Sequence, residues 1–299
     1  MTHLDLSICI VNWNTREDLE AALRSVLLAS AGLSREVVVL DNASRDGSAE
    51  MVAQRFPEVQ LVRSEVNLGF AAGYNRAAAE TRGRYLFLLN PDTITCPGAP
   101  EALVQFLEAH PAVGAVGPRL LNRDGSLQFS CRRFPRPLAA VFRNTPLGTL
   151  FPRNRYTREY LMTDCDHTRE SSADWISGAA MCIRREAWEQ VGGFDQGFFM
   201  YAEDMDWCWR ARQAGWDIHY LPHAEVVHCI GRSSDQAPGR MVFQFHRSMA
   251  RFYRKHYAPG WPLLLRWLPF VGVWVRCGVV LLETGWSLGR NRLTRRRRK

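Results

Sequence analysis

The sequence predicts an α/β domain, a parallel sheet with helices on both faces, followed by an amphipathic and apolar C-terminal region. Three observations predict it. The first 117 residues alternate short apolar runs with helical patterns. Those runs are continuously apolar, as expected of strands covered on both faces. Beyond residue 240 the apolar residues recur with a helical period.

Taken in order, residues 6–11 read as a strand, and Thr15 with Asp18 resembles a capping box opening a helix to about residue 28. Residues 36–40 form a second strand, followed by the turn-rich Asp41-Asn42-Ala43-Ser44 and a helix over 48–55. The unit repeats with a strand at 59–62, an Ala-rich helix at 71–80 and a strand at 85–89. A helix at 100–110 leads to a strand at 113–116. In such sheets ligands sit at the carboxyl ends of the strands. The residues there are Asn12, Asp41, Asn42, Asn90 and Asp92, a polar and acidic rim.

Residues 119–173, rich in Arg, Pro and Asn, read as a loop-rich insertion. Order returns at 175–183, with helices near 185–190 and 204–214 and short strands at 218–221 and 226–228. Residues 241–257 form an amphipathic helix with Val242, Phe245, Met249 and Phe252 on one stripe and Arg247, Arg251, Arg254 and Lys255 on another. The basic stripe fits a solvated face or an anionic surface. The apolar stretch 267–282 is shorter than the roughly 20 residues a spanning helix needs. Arg276, Glu283 and Arg290 are seven apart on one helical face, which predicts a helix lying in a membrane interface.

Charge and cysteine content narrow the classes. Nearly all of the net charge of +8 lies in the last ten residues, which hold seven basic side chains and no acidic one; the rest carries 31 basic against 30 acidic groups. A nucleic-acid binder would spread its basic residues over a folded face, so the tail points to an anionic membrane surface instead. Eight cysteines without metal-ligand spacing read as reduced thiols of a cytosolic protein. The N-terminal apolar run is too short for a signal peptide, and no glycine-rich phosphate loop follows the first strand.

The chemistry-bearing residues are carboxylates. Asp41 can accept from a ribose hydroxyl or a base N–H, although Asp-Asn-Ala-Ser is also a good turn and helix cap. Pro91 cannot continue a ladder, so Asp92 is held outside the sheet edge, where it can bind a divalent cation that suits a diphosphate. Glu203, Asp204 and Asp206 crowd a helix start beside an aromatic run. Mutual repulsion and desolvation there raise pKa values, as a general base requires, while the helix N-terminus opposes. Asp206 can instead pair with Arg210 at i, i+4. The small residues between Asn67 and Asn75 allow close backbone approach, and His228 is either structural or a metal ligand.

Together the motifs Asn12-Trp13-Asn14, Asp41-Asn42-Ala43-Ser44, Asn67-Leu68-Gly69-Phe70, Asn90-Pro91-Asp92, Glu203-Asp204-Met205-Asp206-Trp207 with Arg210, and His228 resemble family 2 glycosyltransferases. The resemblance covers residues 6–231 and is closest to rhamnosyltransferase-like enzymes of bacterial cell-surface polysaccharide synthesis. It implies the GT-A nucleotide-diphospho-sugar transferase fold, a Rossmann-like mixed sheet flanked by helices. It also implies inverting transfer from a nucleotide-sugar donor, dTDP-rhamnose as first guess or another donor such as a UDP-hexose, to a lipid-linked or growing glycan acceptor. A catalytically inactive nucleotide-sugar-binding module is the alternative, and Asn90 in place of an acid is its only support. By match, Asn12, Asp41, Asn42, Asn67, Gly69, Asn75 and Asn90 would bind the donor, and Asp92 with His228 would hold Mg²⁺ or Mn²⁺. Asp204, with Glu203, would act in catalysis, and Trp175, Gly178 and Trp207 would face the acceptor.

The implied organisation is a transferase domain over 1–232, with a nucleotide-sugar half at 1–117 and an acceptor half at 118–232. A membrane-associating segment follows over 240–299. The expected location is the cytoplasmic face of an inner membrane.

Overall fold

A computed structural model describes residues 4–135, 150–151, 154–229, 238–263, 266–267 and 270–281. Glu283 and the basic tail from Arg290 lie outside the described residues. Strands β1 (Leu6–Asn12), β2 (Arg35–Asn42), β3 (Gln60–Ser64) and β4 (Tyr85–Leu89) alternate with helices α1 (Arg16–Ala29), α2 (Ser48–Arg55) and α3 (Phe70–Ala79). The short β5 (Thr93–Thr95), α4 (Ala99–Ala109) and β6 (Val113–Leu121) follow. The insertion contains β7 (Leu127–Gln128), β8 (Cys131–Arg132), α5 (Arg155–Leu161) and β9 (Ser171–Ser172). Then come β10 (Trp175–Ile176), β11 (Ala180–Arg184), α6 (Arg185–Val191), α7 (Glu203–Gln213) and β12 (Asp217–His228). Helix α8 (Pro238–His256) and helix α9 (270–281) are the last described helices.

The sheet runs β3-β2-β1-β4-β11-β6-β12-β5. Its first four strands are parallel as expected, but β11 lies antiparallel between β4 and β6, so the sheet is mixed. This reversal matters for the site. Because β11 runs backwards, its entry end meets the carboxyl end of β4: Ala180 is opposite Leu89, and Asn90 N–H donates to Ala179 C=O (2.9 Å). The two expected late strands are one, β12, irregular between Leu221 and Glu225; it pairs in parallel with β6 and places His228 opposite Thr93.

Alternate residues of the strands feed two cores. Leu6, Ile8 and Ile10 of β1 pack with Leu19 and Leu23 of α1 and Leu103 of α4, while Cys9, Val38 and Leu40 pack with Ala71 and Tyr74 of α3 and with Trp207 of α7. Burying both faces is what makes these strands continuously apolar. All eight cysteines are free thiols.

The capping box is not formed. Thr15 Oγ1 donates instead to Asn12 Oδ1 (2.6 Å), and α1 is capped from another loop, by Asp46 Oδ2 accepting from Arg16 N–H (2.9 Å). Asp46 also accepts from Ser48 N–H (3.1 Å) at the start of α2, so the helix-cap role open to Asp41 belongs to Asp46.

Candidate active site

The carboxyl ends of β1 and β2 carry two side-chain networks. Asn12 Nδ2 donates to Ser44 Oγ (3.1 Å) and Asp41 Oδ1 (3.4 Å), and Ser44 N–H donates to Asp41 Oδ2 (3.0 Å). Asn42 stitches the loop before α3: its Nδ2 donates to Asn67 Oδ1 (3.1 Å) and Gly69 C=O (3.2 Å), and its Oδ1 accepts from Leu68 N–H (2.8 Å). Gly69 has φ +82°, and a Cβ there would lie 2.4 Å from Phe199 C=O. Only glycine fits, and the next residue, Phe70, donates its N–H to that same carbonyl (2.7 Å).

That link leads to a cavity of about 250 Å³. Phe70 lines it from the start of α3, and Asn90 and His228 line it from the ends of β4 and β12; Arg132, Tyr160 and Trp175 line it from the insertion and β10. Tyr201, Phe245 and Met249 complete the wall with Gly178, Glu203 and Asp204.

Asp204 is held by backbone: Gly178 N–H donates to Oδ2 (2.9 Å) and Met205 N–H to Oδ1 (2.8 Å). Glu203 is 4% exposed, and its Oε2 has no hydrogen-bond partner among the described residues. Burial first, and then the charge of Asp204, push the Glu203 carboxyl well above the ordinary range. Burial raises Asp204 as well, opposed by the N–H groups of Gly178 and Met205 and by the Arg132 charge. The physical division is clear. Glu203, with the more strongly raised carboxyl and one oxygen without a partner, favours its protonated form, while Asp204, with two N–H donors, is the one of the two suited to act as a base.

Asp206 plays a different part. Burial works against its charge, yet His256, Lys255 and Arg210 hold its carboxyl below the ordinary range. The contacts are 2.7 Å from His256 Nε2, 2.8 Å from Lys255 Nζ and 2.8 Å from Arg210 Nε. It therefore pairs with Arg210, as its spacing allows, and also ties α7 to α8.

The backbone before α7 is strained. Tyr201 (φ 69°) and Ala202 (φ 67°) are successive non-glycine residues in the left-handed region, and Asn14 (φ 53°) and Ala43 (φ 65°) share it after β1 and β2. Such positions persist where the surroundings hold them and cluster at functional sites.

His228 and Asp92 meet at the opposite edge of the cleft. Gln128 Nε2 donates to Asn122 Oδ1 (2.9 Å), so its Oε1 faces His228 Nδ1 (2.7 Å) and fixes the proton there. In the neutral ring Nε2 then presents a lone pair toward Asp92 Oδ1, 3.4 Å away. Two acceptors facing each other with a fixed second shell suit a divalent cation. No group of three or more His, Cys, Asp or Glu residues placed to hold a metal ion exists among the described residues. The chain would thus supply two ligands and leave positions for phosphate oxygens and water.

The structure brings Asn90, Trp175, Gly178, Glu203, Asp204 and His228 to the cavity and sets Asn12, Asp41, Asn42, Asn67 and Gly69 along the same rim. It does not bring Asn75 or Trp207 there. Both ends of the Asn75 amide are engaged by Phe194, donating to its C=O and accepting from its N–H, each at 2.8 Å. Trp207 is fully buried and stacks on Trp188, with centroids 6.1 Å apart. An asparagine amide and a helical aromatic look the same in sequence whether they face a ligand or the core.

Arg132 was not anticipated. Its guanidinium lies over Trp175 (5.1 Å) and Tyr160 (5.9 Å), and its Nη2 donates to Phe129 C=O (3.1 Å) while its buried Nε has no partner. Phe245 and Met249 were recognised as an apolar stripe, but not as cavity wall. The basic stripe needs correction: Arg251 Nη2 donates to Asp195 Oδ1 (2.9 Å), and Lys255 reaches both Asp195 and Asp206 (2.8 Å each). Those two residues are internal clamps, whereas Arg247 and Arg254 are exposed.

A family model described as "Glycosyltransferase like family 2" matches residues 4–252. The chain belongs to glycosyltransferase family 2. It is 34% identical over 275 residues to the N-acetylglucosaminyl-diphospho-decaprenol L-rhamnosyltransferase of Mycobacterium tuberculosis, covering 88% of each chain. It is 28% identical over 204 residues to rhamnosyltransferase WbbL of Escherichia coli K12, covering 64% of this chain and 72% of the relative. The fold is shared with a mannosyltransferase from Pyrobaculum calidifontis solved with GDP-Man and Mn²⁺ (TM-score 0.58, 18% identity, 96% and 81% coverage). It is also shared with GalNAc-T7 solved with UDP, GalNAc and Mn²⁺ (TM-score 0.57, 17% identity, 76% and 43% coverage). This family 2 transferase therefore has the mixed α/β GT-A architecture.

Proposed function

We propose that this family 2 enzyme is an inverting rhamnosyltransferase. It would move rhamnose from dTDP-rhamnose to a lipid-linked acceptor bearing a sugar diphosphate, in cell-surface polysaccharide synthesis at the cytoplasmic face of a membrane. The names of both relatives support the sugar, and that of the Mycobacterium tuberculosis enzyme supports the acceptor class. The observation that carries the chemistry is the Glu203–Asp204 pair, with one carboxyl group held by two N–H groups in the wall of a cavity.

Asp204 takes the proton of the acceptor hydroxyl as that oxygen bonds to the anomeric carbon. The bond from that carbon to the diphosphate breaks on the opposite face, and the nucleoside diphosphate leaves with the electron pair. A Mg²⁺ or Mn²⁺ ion at Asp92 and His228 would neutralise charge on the leaving diphosphate. Asp41 and Asn12 would position the nucleoside, and the loop held by Asn42, Asn67 and Gly69 would close over the donor. Gly178 and Trp175 would border the acceptor. The organisation follows: residues 1–117 serve the donor, residues 118–232 serve the acceptor, and the C-terminal segment from 240 supports the second half.

The test is a panel of nucleotide sugars with a lipid-linked N-acetylglucosaminyl diphosphate acceptor and Mn²⁺. Product stereochemistry is read by NMR and nucleotide release by chromatography. Consumption of dTDP-rhamnose with inversion is expected; use of only a UDP-hexose, or retention of configuration, overturns the reading.

A further inference from the structure

Helix α8 has two working sides. One side supports the catalytic segment: Ser248 Oγ donates to Met200 C=O (2.7 Å), Tyr201 and Phe245 make a ring contact (5.7 Å), and Phe245 and Met249 wall the cavity. The other side receives α9, whose Val273 packs with Ala250 and Tyr253. Phe243 also meets Trp274 (5.6 Å). The outer face of α9 is bare. Val271, Trp274, Val275 (63% exposed) and Val279 line it, and Trp267 (72% exposed) and Leu263 are exposed just before it. Seven of the twelve exposed large apolar side chains among the described residues lie between 243 and 279, so the patch is concentrated rather than scattered.

The polarity is opposite to that expected from sequence. Arg276, assigned to a charged outer face, has its guanidinium over the Phe245 ring (5.8 Å), and the outward face is apolar. Residues 238–281 contain seven Arg or Lys and no Asp or Glu, and Arg240, Arg247 and Arg254 are exposed.

We propose that the outer face of α9, with the exposed arginines of α8, docks on an anionic lipid bilayer and so sets the acceptor cavity beside the membrane. A second copy of this chain is a poor occupant, because a self-complementary contact would set basic surfaces against each other with no acidic residue between them. The exposed apolar side chains of α9 share one face of the helix, which suits contact along a bilayer surface. Tryptophans at such a face occupy the headgroup level. No helix among the described residues is long and apolar enough to cross a membrane. The proposal deepens the lipid-linked acceptor reading and rests on it only for the acceptor's route into the cavity.

The experiment is vesicle co-sedimentation of the full chain, which needs no transfer activity and so fails independently of the proposed reaction. Wild type is expected to bind phosphatidylcholine–phosphatidylglycerol vesicles, more weakly as salt rises, and to bind pure phosphatidylcholine poorly. The double variant Val271→Asp/Val275→Asp changes exposed residues and should keep wild-type thermal unfolding while losing roughly tenfold or more of vesicle binding. Arg247→Gln/Arg254→Gln should weaken binding to the anionic vesicles and flatten the salt dependence. Wild-type binding by the Asp variant, or no binding by wild type, overturns the proposal. So does a wild-type dimer, seen by light scattering, that the Asp variant converts to monomer, because the face would then be an interface between copies.

Discussion

The two halves of the rim are built in opposite ways. On the side formed by the ends of the buried parallel strands, Asn12, Asp41, Asn42 and Asn67 hydrogen-bond to one another and to the backbone. On the side formed by β8 and the start of α7, Glu203 Oε2 and Arg132 Nε are buried without hydrogen-bond partners among the described residues, and two successive residues are held in left-handed backbone. A satisfied network is stable before any ligand arrives and fixes geometry cheaply. Unsatisfied groups raise the energy of the empty site, and such groups cluster at functional positions. In the proposed function the first side serves recognition and the second serves reaction.

The largest effect should come from removing the base. Asp204→Asn is isosteric and its amide oxygen can still accept from one of the two N–H groups, but it cannot take a proton. Transfer should fall by roughly 10²–10⁴-fold, with nucleotide affinity by calorimetry close to wild type. A loss of nucleotide affinity as large as the loss of rate would place Asp204 on the donor side and break the contrast.

Next is the second shell of the cation site. Gln128→Leu removes the acceptor that fixes the His228 tautomer, and metal affinity should drop about 10–100-fold. Titrating Mn²⁺ against bound nucleotide reads this directly. Unchanged affinity would return His228 to a structural role and leave the donor half without its link across the cleft.

A third, smaller effect is pH-dependent stability. The folded-state pKa of Glu203 is raised, so the native protein keeps a proton that the unfolded chain loses above about 4.5. Stability from this group is complete below that value and is lost as pH rises toward the folded pKa, at a slope of at most about 1.4 kcal/mol per pH unit. Glu203→Gln should remove that descent. Thermal unfolding of wild type and variant across pH would show diverging curves; parallel curves would mean that Glu203 is ionised in the native state.

The same division marks what could be read in the sequence. Strands β1, β2 and β4 and the Asn12, Asp41 and Asp92 rim were legible because a buried strand is an unbroken apolar run and its ligands follow at its end. The direction of β11 was not, since a buried strand reads alike in either orientation. Asn75 was misplaced because its partner, Phe194, lies 119 residues away. The clamps Arg251 and Lys255 read in sequence as a surface stripe, because periodicity shows which face of a helix is basic, not that Asp195, 56 and 60 residues earlier, covers it. Arg132 sits in a segment without periodicity and gave no signal beyond its charge.

The smallest effect probes whether the strain belongs to the mechanism. Ala202, at φ 67° and ψ 1°, directly precedes Glu203 and Asp204. A side chain in this conformation costs about 1 kcal/mol or somewhat more. Glycine relieves that cost but adds freedom to the unfolded chain worth about 0.4–1 kcal/mol. Ala202→Gly should therefore raise Tm by no more than about 2 °C. Its kcat is the informative quantity. If Ala202 helps hold the start of α7 in the one register that presents Asp204 to Gly178, the looser glycine variant will be slightly more stable and slower. Equal kcat with higher Tm would show that the helix start is fixed from elsewhere, by Ser248 on Met200 and His256 on Asp206. The reactive half would then owe its geometry to α8 rather than to local backbone strain.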